Sequence, residues 1–214
     1  MKVHRRVSWY FLSNSYLGFC EGGGEAFIVD PAPGCGELLG VARRKGMRVR
    51  YVLVTHYHPD HIGGAGRVKA LTGAPIVAHA SAEKMAKSTI NRIGSGMGLI
   101  FKVAGPDRFV EDGEELAVGD ESLRVIHTPG HTPDGISISG RGFVFTGDTL
   151  VAGSVGRTDL AGGSVRELAE TLAKKLLPLP DDTVVYPGHG PATTIGKERR
   201  YNPFVVGAMA LGVT

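Results

Sequence analysis

The apolar run Val52-Leu53-Val54 hands over directly to Thr55-His56-Tyr57-His58-Pro59-Asp60-His61, placing three imidazoles and one carboxylate within six residues. A short β-rich apolar run reads as a buried strand, and the loop leaving it must keep its polar groups satisfied. Four donors packed so closely cannot all be satisfied cheaply without an ion, and metal coordination is the usual solution.

The same setting recurs three times. His131 follows Leu123-Arg124-Val125-Ile126 through the turn Pro129-Gly130, Asp148 follows Phe143-Val144-Phe145 through Gly147, and His189 follows Thr183-Val184-Val185-Tyr186 through Pro187-Gly188. Each is a β-rich stretch stopped by Gly or Pro with a donor beyond the stop. Strands of one sheet often end on a common edge, so donors on the loops beyond them can converge. Taken singly, a histidine or aspartate after a strand is usually an ordinary polar residue. Beside the cluster the reading changes, because five of the eight histidines fall on these positions. A catalytic zinc takes about three protein ligands, so seven donors (His56, His58, Asp60, His61, His131, Asp148, His189) suggest two ions. A carboxylate can bridge two cations and a neutral imidazole cannot, which points to Asp148 as the bridge.

At these residues the chain resembles the metallo-β-lactamase superfamily, whose signature is H-x-H-x-D-H followed by later His, Asp and His. Gly147-Asp148-Thr149-Leu150, Gly156-Arg157-Thr158-Asp159, Tyr186-Pro187-Gly188-His189-Gly190 and Lys197–Phe204 (KERRYNPF) further resemble its glyoxalase II group, the hydroxyacylglutathione hydrolases. The resemblance implies an α/β (α+β) fold, a four-layer αββα sandwich of two mixed β-sheets flanked by helices. It implies a first metal on His56, His58 and His131, a second on Asp60, His61 and His189, and Asp148 bridging. Zinc suits such ligands, and iron or manganese is accommodated too. The implied reaction is hydrolysis of an acyl-thioester of the S-lactoylglutathione kind by a metal-bridging hydroxide, with Asp60 and Asp148 as the catalytic carboxylates. Two relatives fit less well: His58 stands where flavodiiron proteins usually carry glutamate, and Asp148 where true β-lactamases usually lack a bridging aspartate. The Gly156–Asp159 phrase also resembles the persulfide dioxygenases, whose single iron would sit on His56, His131 and Asp148. A lactone hydrolase is a further alternative. The helical C-terminal glutathione-binding domain of glyoxalase II is expected to be absent, since the chain ends at Thr214, and Asp134 stands where such sequences often have Gly.

Around the ligands, Asp30 is a candidate partner for a ligating histidine. Arg157 is a candidate contact for an anionic substrate, or else a partner of Asp159. Tyr57 either faces the substrate or packs. His127 reads as supporting, and His79 and His4 as structural or exposed.

With ligands spread from His56 to His189 and no linker-like tract, residues 1–214 read as one domain. A formal charge of +3 with short, scattered basic clusters argues against a nucleic-acid partner. Cys20 and Cys35 form no disulfide framework and no signal peptide is visible, which points to a reduced, cytoplasmic protein with a small-molecule substrate and no membrane partner. The apolar tail Phe204–Val213 is too short to span a bilayer and suits packing on the domain or on a second subunit of a homo-oligomer. Ile90–Val103 mixes glycines with apolar residues, as a substrate-covering flap or a subunit contact would.

Strands are expected near Val3–Leu12, Ser15–Cys20, Ala26–Asp30, Tyr51–Val54, Ile76–Ala78, Glu115–Val118, Leu123–Ile126, Ile136–Ser139, Phe143–Phe145 and Thr183–Tyr186. Helices are expected near Gly36–Lys45, Ala65–Thr72 and Val165–Leu177, the last opened by the capping pattern Ser164-Val165-Arg166-Glu167.

Overall fold

Alternation of side chains along the strands decides the architecture. In the strand Glu25–Val29, Ala26 and Ile28 point to one apolar cluster while Phe27 and Val29 point to another; in Arg48–Leu53, Val52 and Leu53 divide the same way. Strands apolar on both faces must be covered on both. The structure is a computed structural model describing residues 1–22, 24–87 and 104–210.

Its elements are β1 (Lys2–Val7), β2 (Asn14–Phe19), β3 (Glu25–Val29), α1 (Gly36–Arg44), β4 (Arg48–Leu53), α2 (Pro59–Ile62), α3 (Ala65–Thr72), β5 (Ile76–His79), α4 (Ala82–Ala86) and β6 (Arg108–Val110). There follow β7 (Glu115–Val118), β8 (Glu121–His127), β9 (Ile136–Gly140), β10 (Phe143–Gly147), α5 (Val165–Thr171), a π-helical turn (Leu172–Leu176), β11 (Val184–Pro187), β12 (Thr193–Thr194), α6 (Ile195–Tyr201) and α7 (Pro203–Ala210). Among the described residues the strands form two six-stranded mixed sheets, ordered β1-β2-β3-β4-β5-β6 and β12-β11-β10-β9-β8-β7. β3, β4, β5 and β6 run parallel, as do β10 and β11. Parallel neighbours need crossovers, and α1 and α3 supply those between β3, β4 and β5.

Three buried clusters separate four layers. One lies between the first sheet and α1, α3 and α4, through Leu38, Ala42, Val68 and Ala82. The second lies between the sheets, where Phe145 packs within 5.2 Å of Tyr16, 5.8 Å of Phe27 and 5.1 Å of Tyr186, ring centre to ring centre. The third joins the second sheet to the later helices through Val144, Val185, Leu168, Leu172 and Val205. This is the four-layer αββα arrangement that the resemblance implies.

The structure departs from expectation in several places. The first strand stops at Val7, and Trp9–Leu12 form a turn closed by Ser8 N–H donating to Ser13 O (2.8 Å) and Leu12 N–H to Ser8 O (2.9 Å). The residues are β-prone and nothing local announces this turn: it contains neither Gly nor Pro, and Leu12 itself takes φ 57°. Ser164 caps α5 through Glu167 N–H, but beyond Thr171 the helix loosens into the π turn. α2, α4, α6, α7, β6 and β12 were not anticipated; the α-helices among them are five to eight residues except the four-residue α2, and β12 is two residues long, so little periodicity shows. Val205 of α7 is buried against the second sheet's helical cover, and no helix among the described residues is long and apolar enough to cross a membrane. Truncating Phe145 to Ala should cost about 3–5 kcal/mol, read from urea unfolding, because the void would sit between two sheets that cannot close on it.

Candidate metal centre

All seven candidate donors leave strand ends at one edge of the sandwich. Thr55–His61 leaves β4 and turns at once into α2, with Pro59 in its first turn so that Asp60 and His61 are presented on a helical bend. His131 lies between β8 and β9, Asp148 directly after β10, and His189 just after β11.

The donors gather into sets close enough to hold an ion, and the Asp148 carboxylate lies near two of them. Ligand atoms of His56, His58 and His131 lie within 4.8 Å of one another, as do those of Asp60, His61 and His189. His58 Nδ1 and His131 Nε2 are 3.1 Å apart, and His189 Nε2 and His61 Nε2 stand 3.2 and 3.4 Å from Asp60 Oδ2. Asp148 stands between the groups: its Oδ1 is 3.6 Å from His61 Nε2, while its Oδ2 is 3.6 Å from His189 Nε2 and 3.7 Å from His131 Nε2. Two donors about 2.0–2.1 Å from one cation sit about 3.3 Å apart on a tetrahedron's edge. The observed spacings cluster around that value and exceed the ordinary hydrogen-bond length in most cases.

Burial sharpens the point. His56 Nε2, His58 Nε2, His61 Nε2 and Asp148 Oδ1 are buried and have no hydrogen-bond partner among the described residues. Buried polar atoms are rarely left so, and here several neighbouring ones face each other. Desolvation holds the His56 pKa well below the imidazole range and brings His58 down to about 4, keeping both in the neutral form that ligates. Burial opposes charge on His61 too, but the Asp60 and Asp148 carboxylates outweigh it and raise its pKa well above the usual value. His189 is raised first by its hydrogen bond to Asp60. Asp60 is desolvated, yet His61 and His189 hold its carboxyl far below the usual range. The cluster therefore draws positive charge. Neutral imidazoles, clustered carboxylates and orphaned lone pairs fit divalent cations.

Second contacts fix the orientations. Asp30, at φ 48°, is the joint: Oδ1 accepts Thr55 N–H (2.7 Å), and Oδ2 accepts Thr55 Oγ1–H (2.6 Å) and faces His61 Nδ1 (3.0 Å). His56 Nδ1 meets Thr55 Oγ1 at 3.1 Å, and His131 Nδ1 donates to the Arg157 carbonyl at 2.6 Å. Buried Asp134 accepts Tyr57 N–H through Oδ2 (2.9 Å), tying the His56–His58 loop to the loop of His131. Gly188 leaves the room the centre needs, since a Cβ there would fall 2.3 Å from Asp148 Oδ1 and 2.6 Å from His61 Cε1.

For two residues that the sequence left between two roles, the structure shows the packing or pairing one. Tyr57 does not face the site: it is wholly buried in the cluster under α1 and α3, and its hydroxyl donates to the Ala104 carbonyl. The Arg157 guanidinium is engaged by Asp159 in two 2.7 Å bonds on the surface rather than presented to the centre; the residue serves the site through its backbone carbonyl. Ile90–Val103 lies outside the described residues. Sequence reading missed the tie formed by buried Glu198 and Asn202. Glu198 accepts from Gly153 N–H (2.8 Å) and Thr193 Oγ1–H (2.6 Å), and Asn202 Nδ2 donates to Ser154 O (2.9 Å), anchoring the loop after Asp148. Its only signal was the KERRYNPF phrase.

The metallo-beta-lactamase superfamily pattern matches residues 9–189, and the chain belongs to that superfamily. Among curated relatives, an uncharacterized protein of Mycobacterium tuberculosis is 40% identical over 91% of this chain and 93% of its own. The probable metallo-hydrolase YqgX of Bacillus subtilis is 33% identical over 97% and 99%. The hydroxyacylglutathione hydrolase GloC of Haemophilus influenzae is 35% identical over 84% and 87%. Among solved structures, the BLEG-1 B3 metallo-beta-lactamase superposes with TM-score 0.86 at 32% identity, covering 95% of this chain and 99% of that one. ETHE1 from Myxococcus xanthus gives 0.82 at 30% over 97% and 85%, and TTHA1623 in a di-iron-bound form 0.81 at 33% over 94% and 99%.

Asp30→Asn keeps a residue that tolerates positive φ but removes the charge facing His61. Metal affinity, titrated against a competing chelator, should fall about ten- to a hundredfold.

Proposed function

We propose that the chain is a metal-dependent hydrolase of acyl-thioesters that uses two divalent cations. The observation carrying this reading is Asp148, whose two oxygens face donors of both groups. The likeness to GloC supports the thioester class. His56, His58 and His131 would hold one ion, Asp60, His61 and His189 the other, with Asp148 shared. Zinc suits these ligands, and the likeness to TTHA1623 keeps iron in view. Ions held there lower the pKa of water and polarise an acyl carbonyl.

The chain's own residues do the rest. Asp60, 22% exposed at its side chain and fixed by His61 and His189, is positioned to orient the attacking water. Asp30 keeps the His61 ring in register, and the Arg157 carbonyl fixes the tautomer of His131 with its Nδ1 protonated. A thiolate leaves readily, so the reaction asks for no strong general acid.

A second reading, a persulfide dioxygenase with one iron on His56, His131 and Asp148, is favoured by the likeness to ETHE1. Metal analysis separates the two, combined with a panel of S-lactoylglutathione, other thioesters, lactones and a cephalosporin. Two metals per chain with thioester turnover is the expected result, and one iron with thiol-dependent oxygen uptake would establish the dioxygenase instead. Asp148→Ala should lose metal and turnover together; full activity in that variant would remove the bridging role. Chelation should also lower the melting temperature, reversibly on adding zinc, because the ions bind only the folded donor set.

A further inference from the structure

A basic trough lies at the end of β4 opposite the metal centre. β4 begins at Arg48 and ends at Leu53, just before the histidine loop, and the trough lies against its beginning. Two cavities of about 450 and 270 Å³ share Arg48, Val49 and Thr72, and so run together. The larger falls within the range of small-ligand sites, about 300–1,000 Å³. Gly36, Leu39, Gly40 and Arg43 line it from one face of α1, and Arg67 and Leu71 line it from α3. The smaller adds Arg50 and Arg108.

Charge sets this trough apart. Five arginines line it and, among the described residues, no aspartate or glutamate does. Glu114 holds Arg108, but Arg43, Arg48, Arg50 and Arg67 form no ion pair with a described carboxylate. Other surface arginines do: Arg6 meets Glu37 at 3.2 Å, Arg166 meets Glu170 at 3.1 Å and Arg200 meets Asp181 at 3.1 Å. Arg43 suits the last turn of α1, where the helix dipole favours a cation. Arg67 stands in the first turn of α3, where the dipole opposes it. A guanidinium does not shed its proton, so gathered guanidiniums repel one another unless an anion comes between them.

Shape is a second sign. Glycine weakens a helix relative to alanine, yet neither Gly36 nor Gly40 takes a positive φ. Beyond the helix backbone, a Cβ would meet nothing within 4 Å at Gly36, and at Gly40 only the tip of Arg44 at 3.3 Å. Packing within the chain does not require these glycines; they leave the trough open to the α1 backbone. Leu71, 64% exposed, and half-buried Leu39 give the same trough an apolar side.

We propose that the trough binds an organic diphosphate, its phosphates among Arg43, Arg48 and Arg67 and its carbon skeleton against Leu39 and Leu71. Guanidinium forks match phosphate oxygens in paired, charge-assisted hydrogen bonds. Nucleotides and prenyl diphosphates both carry this chemistry. The site is separate from the metal centre and independent of the reaction performed there.

The holoprotein is titrated calorimetrically, in about 0.15 M salt to screen loose charge attraction, with ADP, geranyl diphosphate, adenosine and inorganic pyrophosphate. Saturable binding of at least one organic diphosphate is expected, about tenfold or more tighter than pyrophosphate, with adenosine silent. Binding of ADP marks a nucleotide site, and binding of geranyl diphosphate a site for a lipid precursor. Arg48→Gln and Arg67→Gln should each weaken binding about tenfold, the loss of one charged hydrogen bond. Gly40→Leu keeps every charge and fills the trough from a position with room, so binding should be lost while metal content holds. Asp148→Ala, which should lose metal, should bind the diphosphate as before. Binding that vanishes in Asp148→Ala yet survives both arginine variants would put the diphosphate on the metals and overturn the proposal. So would pyrophosphate binding as tightly as either organic compound, no saturable binding at all, or uptake of oligouridylate RNA that neither diphosphate displaces.

Discussion

Buried carboxylates gathered among buried imidazoles are the constraint on which this structure turns. Asp30, Asp60 and Asp148 converge on His61 and His189 at the edge where the two sheets meet, while His56 and His58 are held neutral by desolvation. Such a cluster is costly unless positive charge enters it. Protons on His61 and His189 meet part of the demand, and metal ions would meet more of it and engage the lone pairs that face one another unpartnered.

The rest of the fold holds that cluster at one place. β4, β10 and β11 end on one edge, and their interiors are locked by a core shared between the sheets, with Phe145 wedged among Tyr16, Phe27 and Tyr186. Donors on loops gain precision from short ties back to this scaffold. Asp30 joins the end of β3 to the start of the histidine loop, Asp134 joins that loop to the one carrying His131, and Glu198 with Asn202 steadies the segment beyond Asp148. The hairpin between β1 and β2 is bound to the loops of Asp60 and His189 through Ser13 and Asn14, and its apolar tip is exposed.

The long strands were legible because alternation and flanking Gly or Pro are local signals, and the tight loop of three histidines and an aspartate declared itself. The short late helices and the turn at Trp9 were not, since their reasons lie in packing against distant residues. Asp30 could be suspected from its place at a strand end, whereas nothing local distinguishes the carbonyl of Arg157 as the partner of His131. The guanidinium drew attention in the sequence, yet its partner is its near neighbour Asp159.

By itself, then, the sequence determined the donor inventory, the strands that carry it and the superfamily, because residue type and short-range order specify both ligation chemistry and sheet-forming pattern. Tertiary structure alone decided which donors face each other, that Asp148 lies near His61, His131 and His189, and that Tyr57 is core. Those are matters of distance between residues far apart along the chain, and such distances exist only once the sheets have packed.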